Sequence, residues 1–271
     1  MTTLTLEHEH EKESVRIGRA APAPIPMSRL VAVEARKSFD TRSGFWLLAS
    51  IGILSVLATA AVILFAPDDE LTYESFATAF GFPMAVILPM IAILSVTGEW
   101  SQRNGLTSFT LVPHRGRVIT AKAVVALVVG VVSMALAGVI GAAGNVVGTA
   151  ITGTDTIWNV SLTEFSYIVL ANIIGMMTGF MLGVLIRNSP GAIVTYFVYS
   201  LVLPTITAVL AQAQDWFADI QGWVDFNYAQ GALFDGSVGA HEWAQLGATG
   251  AVWLLLPLAI GLWTVLRSEV K

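Results

Sequence analysis

Cysteine is absent from the 271 residues, which excludes disulfides, thiol nucleophiles and cysteine metal sites. Charge is scarce as well: Asp, Glu, Lys and Arg make up 12%, about half of the ~25% usual in soluble domains. The scarcity is concentrated in six apolar runs, about Gly44–Ala66, Phe76–Gly98, Ala123–Ile151, Phe165–Ile186, Gly191–Ala213 and Trp243–Leu266, whose interiors hold no charged residue and no histidine. Proton-coupled carriers and charge-moving pumps need ionisable groups near the membrane midplane, so the pattern argues against both. Intramembrane proteolysis is disfavoured for the same reason, since neither an acidic pair nor a histidine lies within the runs. His241-Glu242 begins like the zinc motif HExxH, but Gln245 stands where the second ligand belongs. Nothing matches GxxxxGK[ST], so any ATP would have to be bound by another subunit.

What is present are segments long enough to cross a bilayer. Each run reaches the ~20 residues that a spanning helix needs. If the N-terminus is cytoplasmic, the connecting segments alternate inside and outside. All fourteen Lys and Arg then fall inside, with eight acids, while the outside segments carry eleven acids and no base. The positive-inside bias therefore predicts an all-α membrane protein with six transmembrane helices and both termini in the cytoplasm of a cell. The net charge of −5 reports this division rather than a taste for basic partners.

Residues 1–26 are acidic, then basic, then rich in Ala and Pro, and are expected to form a disordered cytoplasmic tail. They contain no apolar core, so a cleavable signal peptide is not expected. His8 and His10 lie among four glutamates, a run better read as solvated than as a metal site. From Met27 apolar residues recur every four positions (Met27, Val31, Ala35, Phe39), with Arg29, Arg36 and Lys37 elsewhere on the wheel. This predicts an interfacial helix over 27–43 whose bases meet anionic lipid; Glu34, near the apolar stripe, keeps open a plain extension of the first spanning helix. Residues 27–271 form the membrane domain.

Within the spans, Gly175, Gly179 and Gly183 recur every four residues, as do Gly144 and Gly148 with Ala137 and Gly141, so each set permits close helix approach. Packing inside the chain is the simplest use for either stripe. Asn145 and Asn172 are expected to bond between helices. Pro83, Pro89 and Pro204 each remove a backbone donor and are candidate hinges. Arg187-Asn188-Ser189-Pro190 is a minimal turn that makes the fourth and fifth spans antiparallel neighbours. In the outer segment 214–242, Trp216, Ile220, Trp223 and Val224 follow helical spacing, predicting an interfacial or re-entrant helix.

The segment 99–122 is basic and yet contains Leu106, Phe109, Leu111 and Val112. Headgroup binding explains the bases but not Phe109; an apolar knob shown to the cytoplasm suits docking into a partner's groove. Thr97–Arg103, Thr107–Pro113, Arg115–Val118 and Ala121-Lys122 together resemble the loop between the second and third helices of type-2 ABC exporter permeases. Val33–Lys37 followed by Asp40–Gly44 is similar to the stretch before their first helix. The resemblance implies a homodimer, or a heterodimer with a second permease, bound to ABC ATPase subunits. It implies that Arg29, Glu34, Arg36 and Lys37 of the interfacial helix, with Glu99, Arg103, Leu106, Phe109, Pro113, Arg115 and Arg117, form the ATPase-coupling surface. This chain would then bind no cofactor itself, would use ATP and Mg through its partner, would contact lipid but no nucleic acid, and would carry no catalytic or metal-binding residue. A hydrophobic or amphipathic substrate suits the uncharged interior. Two other classes stay open: a membrane scaffold or sensor recruiting a cytoplasmic partner, and an ATPase-independent channel.

Overall fold

A computed structural model of the chain describes residues 25–101, 115–236 and 238–267. The disordered-tail reading falls on residues that, up to 24, lie outside this range. Among the described residues the backbone is nearly all helical, and strand pairing is confined to one isolated bridge between Thr72 and Ile157.

Helix α1 spans Met27–Asp40 and α2 spans Arg42–Phe65. Between them Thr41 is extended (φ −87°, ψ 138°) and its hydroxyl accepts from the Gly44 amide, so it caps α2. This break makes α1 a separate helix and excludes the simple-extension reading. The chain continues through α3 (Tyr73–Ser101), α4 (Arg115–Thr152), α5 (Leu162–Ile186), α6 (Ser189–Ala213), α7 (Asp215–Val224), α8 (Phe226–Gly231) and α9 (Ala240–Arg267). Six of these, α2, α3, α4, α5, α6 and α9, are long and apolar enough to cross a membrane, as a multi-pass membrane protein requires. Their alternation sets a basic end, holding every described Lys and Arg, opposite an acidic end.

The segment 99–122 is less of a loop than its polarity predicts. Helix α3 runs on to Ser101, and α4 has begun by Arg115, so Glu99, Arg117 and Lys122 all sit on helices. Apolar runs report where lipid begins; helical hydrogen bonding continues past that depth. Likewise α5 begins ahead of its apolar run with a capping box, in which the Ser161 hydroxyl accepts from the Glu164 amide and Glu164 accepts from the Ser161 amide.

Helix α3 is the centre of the bundle, enclosed by α2, α4 and α5, with Phe76, Phe80, Met84, Leu88, Ile93 and Val96 fully buried. Glycines allow this enclosure. A Cβ on Gly179 would lie 2.8 Å from the Pro89 carbonyl oxygen, and one on Gly183 3.3 Å from that of Ile93. Gly144 and Gly148 of α4 face Phe76 of α3 and Thr59 and Ile63 of α2. Gly175 instead faces Gln230 and Tyr196. Both glycine stripes are thus occupied inside the chain. The asparagines differ from expectation: Asn172 donates to the Ile168 carbonyl of its own helix, and Asn145 to that of Ile157 in the following loop. Both bonds are local in the sequence, a common pattern for asparagine side chains.

The prolines are absorbed without interrupting α3. Pro89 cannot bond the Ala85 carbonyl four residues back, and the Tyr196 hydroxyl of α6 donates to that oxygen at 3.0 Å. In α6 and α9 the helix widens to π geometry over Val198–Val202 and Ala251–Leu255, just ahead of Pro204 and Pro257. A wider turn relieves the clash between the proline ring and the preceding carbonyl.

Helices α7 and α8 pack at the acidic end against α6 and α9. On α7 the expected apolar face, Trp216, Ile220, Trp223 and Val224, is exposed, while Gln221 and Gly222 are buried. That inversion is normal where the surroundings are lipid. Asp225 joins the pieces: one oxygen caps α8 by accepting from the Asn227 and Tyr228 amides, and the other accepts from Thr207 of α6 at 2.5 Å.

Candidate functional site

At the basic end α1, α3 and α4 converge, and each brings a charge. Glu34 and Lys37 stand one turn apart on α1, Glu99 lies in the last turn of α3, and Lys122 lies two turns into α4. Lys122 Nζ meets Glu34 Oε2 at 2.5 Å and Glu99 Oε1 at 3.1 Å. Lys37 Nζ meets Glu34 Oε1 at 2.7 Å and Glu99 Oε1 at 3.1 Å. The result is a closed ring of alternating sign. Glu34, Glu99 and Lys122 are each less than a tenth exposed, whereas the Lys37 side chain is 44% exposed.

A buried ion pair gains little net stability over apolar packing, because desolvation offsets the attraction; removal of one partner is what costs. Such a ring therefore acts chiefly to fix position. Two of its four contacts, Lys122–Glu34 and Lys37–Glu99, cross from α1 to the bundle, so α1 cannot move independently of α3 and α4 without opening them. Burial alone would lower the Lys37 pKa, but hydrogen bonds and charge from Glu34 and Glu99 outweigh it and hold the ammonium above its usual range. A second anchor lies beside the ring. Leu30 is buried on Val118 and Ala121 of α4, and the Arg117 guanidinium donates to the Ile25 carbonyl at 2.6 Å.

Among the described residues, two of the cavities that open on the bundle are lined by charged side chains. One of about 230 Å³ adjoins the ring, between α1, α2 and α3. The other, about 490 Å³, lies at the acidic end between α3 and α5, where Glu74, Glu164 and Asp235 border Phe82, Ile168 and Phe234. Among the described residues no group of three or more His, Asp or Glu could hold a metal ion.

No protein-family model matches this sequence, and no curated protein matches it. The ring and its surroundings must be read from their own chemistry.

The structure brings together residues that the sequence places in separate sets. Glu34 and Lys37 belong to the expected interfacial helix and Glu99 to the expected coupling segment, yet the three share one ring. Lys122, the fourth member, lies in the same basic segment immediately before an apolar run, but is not among the expected coupling residues. Arg29 and Arg36 are exposed. Arg103, Leu106, Phe109 and Pro113 lie outside the described residues, and Arg115 opens α4. Of the candidate hinges, Pro83 and Pro89 lie within continuous α3, and Pro204 follows a π turn. Pro257 is the partner that sequence reasoning passed over; its place inside the last apolar run was the available signal.

Proposed function

We propose that this chain is the permease subunit of an ATP-binding-cassette exporter, inserted in the cell membrane with its basic end in the cytoplasm. ATP and Mg are handled by a partner ATPase, and two permeases, identical or related, form the translocating unit. The observation that carries the reading is the charge ring. It joins α1, the end of α3 and the start of α4 into one body, and the residues that connect α3 to α4 in the sequence, outside the described range, carry Phe109. A push on Phe109 and its neighbours would be delivered to the central helix α3 and to α1 together.

Transmission needs helices that can flex. The π turns before Pro204 and Pro257 supply such points in α6 and α9. Exposed apolar residues run along α2, α4, α6 and α9, whereas α3 is enclosed over most of its length; of these faces, those of α2 and α6 are where we place a second copy. A path between two copies is then lined mainly by α2 and α6. Its lining is apolar, in keeping with a hydrophobic or amphipathic substrate.

The test is co-purification of the chain with the product of an adjacent gene that encodes a Walker-motif ATPase. Stable association is expected, and its absence refutes the proposal. Phe109→Asp should leave membrane insertion intact and abolish ATPase capture; unchanged capture would remove the docking role. Since the chain has no cysteine, a single Phe109→Cys gives a clean topology probe that should label only from the cytoplasmic side.

A further inference from the structure

The cavity of about 490 Å³ at the acidic end is enclosed by separate pieces of the chain. Its floor is a face of α3 made of Ala77, Gly81 and Ala85, small residues at four-residue intervals. A Cβ on Gly81 would meet nothing within 4 Å, so the space over the floor is open. Ile168 of α5 borders it on one side, and Phe234 and Asp235, which follow α8, border it on another. Gly236, in the left-handed region (φ 71°), turns this stretch onto α5, where a Cβ on it would lie 2.9 Å from Glu164 Cγ. Two phenyl rings, those of Phe82 and Phe234, line the space and are exposed. The volume falls within the roughly 300–1,000 Å³ of small-molecule sites, and an apolar wall with a few polar groups is their usual make-up.

Charge selects the occupant. Each titratable side chain of the lining, Glu74, Glu164 and Asp235, is acidic, and the outer segments hold no base to neutralise them. Glu74 and Glu164 each commit one oxygen, accepting from the Asn159 side chain and the Ser161 amide, and Asp235 has no side-chain partner among the described residues. Glu74 and Asp235 are exposed, so a ligand in the cavity can meet their uncommitted oxygens. A cleft of one sign with apolar walls concentrates field on a counter-ion, and a cation over a phenyl face gains further attraction. We infer that this cavity binds a monovalent organic cation with an apolar body, of the alkyl- or aryl-substituted ammonium or phosphonium class. Its charge lies among Glu74, Glu164 and Asp235, and its body lies against Phe82, Ile168 and Phe234. A zwitterionic lipid headgroup fits less well, because its phosphate would meet carboxylates and no base. The site is complete within one copy and needs no ATPase, so failure of ATPase capture would leave it standing.

Equilibrium dialysis of the full chain in a non-ionic detergent tests this, with tetraphenylphosphonium as the cation and triphenylphosphine oxide as its uncharged comparison. One cation per chain should bind saturably, about tenfold tighter than the neutral compound, as three screened charge contacts provide. Gly81→Leu should fill the floor and abolish cation binding, and the open space above it should leave the melting midpoint unchanged. Asp235→Asn should weaken the cation about threefold and leave the neutral compound unaffected. Should either variant fail to fold, the comparison of the two compounds on the wild type still decides. Equal affinity of the wild type for both compounds would overturn the inference. Cation binding that neither folded variant alters would overturn the assignment to this cavity. Displacement of the cation by soluble phosphocholine would overturn it in favour of a lipid headgroup.

Discussion

Replacement of Lys122 by methionine tests the ring most directly. The substitution keeps length and packing but leaves two buried carboxylates, Glu34 and Glu99, to share the half-exposed Lys37. Loss of one partner from a buried pair costs roughly 3–5 kcal/mol, because the remaining charge stays desolvated. Lys37→Met is the contrasting variant. Its side chain is 44% exposed, and Lys122 would still bridge both acids, so its loss should cost about 1 kcal/mol or less. For a chain of this size, Lys122→Met should lower the melting midpoint by roughly 6–20 °C, against a few degrees for Lys37→Met. Tryptophan fluorescence of the purified chain in detergent reads both. The double variant Lys122→Met/Glu99→Gln removes one charge of each sign and leaves the Glu34–Lys37 pair, so it should recover most of the loss. If Lys122→Met matches Lys37→Met within about 1 kcal/mol, the ring is not a buried electrostatic unit and the reasoning fails.

Other expectations follow from single contacts. Gly179→Ala places a methyl within 3 Å of the Pro89 backbone and should destabilise by about 1–3 kcal/mol, whereas Gly175→Ala, with its nearest neighbours at 3.7 Å, should melt like the wild type. Asp225→Ala removes the cap of α8 and the acceptor for Thr207, which should cost about 1–2 kcal/mol and speed amide exchange at Asn227 and Tyr228. The pKa of Lys37 is raised by folding, so its contribution is complete below the free value of 10.5 and is lost only as pH rises through the higher folded one. Stability should therefore be insensitive to this group between about pH 7 and 9; a Lys37-dependent loss in that window would show that the ammonium is not held by the two glutamates.

The six spans were legible because lipid imposes a length and an apolarity that few other environments demand. Their ends were not, since Glu99 and Lys122 are polar residues held in helix beyond the apolar run. Glu34 carried a faint signal, a carboxylate beside an apolar stripe. Its partner Lys122 lies 88 residues away, a separation that no local pattern records. The glycine stripes could be found by spacing, but spacing alone does not say that Gly179 meets Pro89 rather than another subunit. Proline positions were visible in the sequence; the π turns that accommodate Pro204 and Pro257 depend on how the helix relaxes around the missing donor. For α7, the Trp spacing gave the helix, but which face would turn inward depended on Gln221 and Gly222 fitting against α9.

The bond from Tyr196 to the Ala85 oxygen spans 111 residues, and this has a bearing on biosynthesis. The second crossing leaves the ribosome with a bare carbonyl in its wall, in surroundings without water to satisfy it. Relief arrives only when the fifth crossing has been made, so the middle of the molecule is completed late, whatever order its segments enter the bilayer. A nascent chain halted ahead of Tyr196 should hold its second crossing loosely, and one released just beyond α6 should hold it fast.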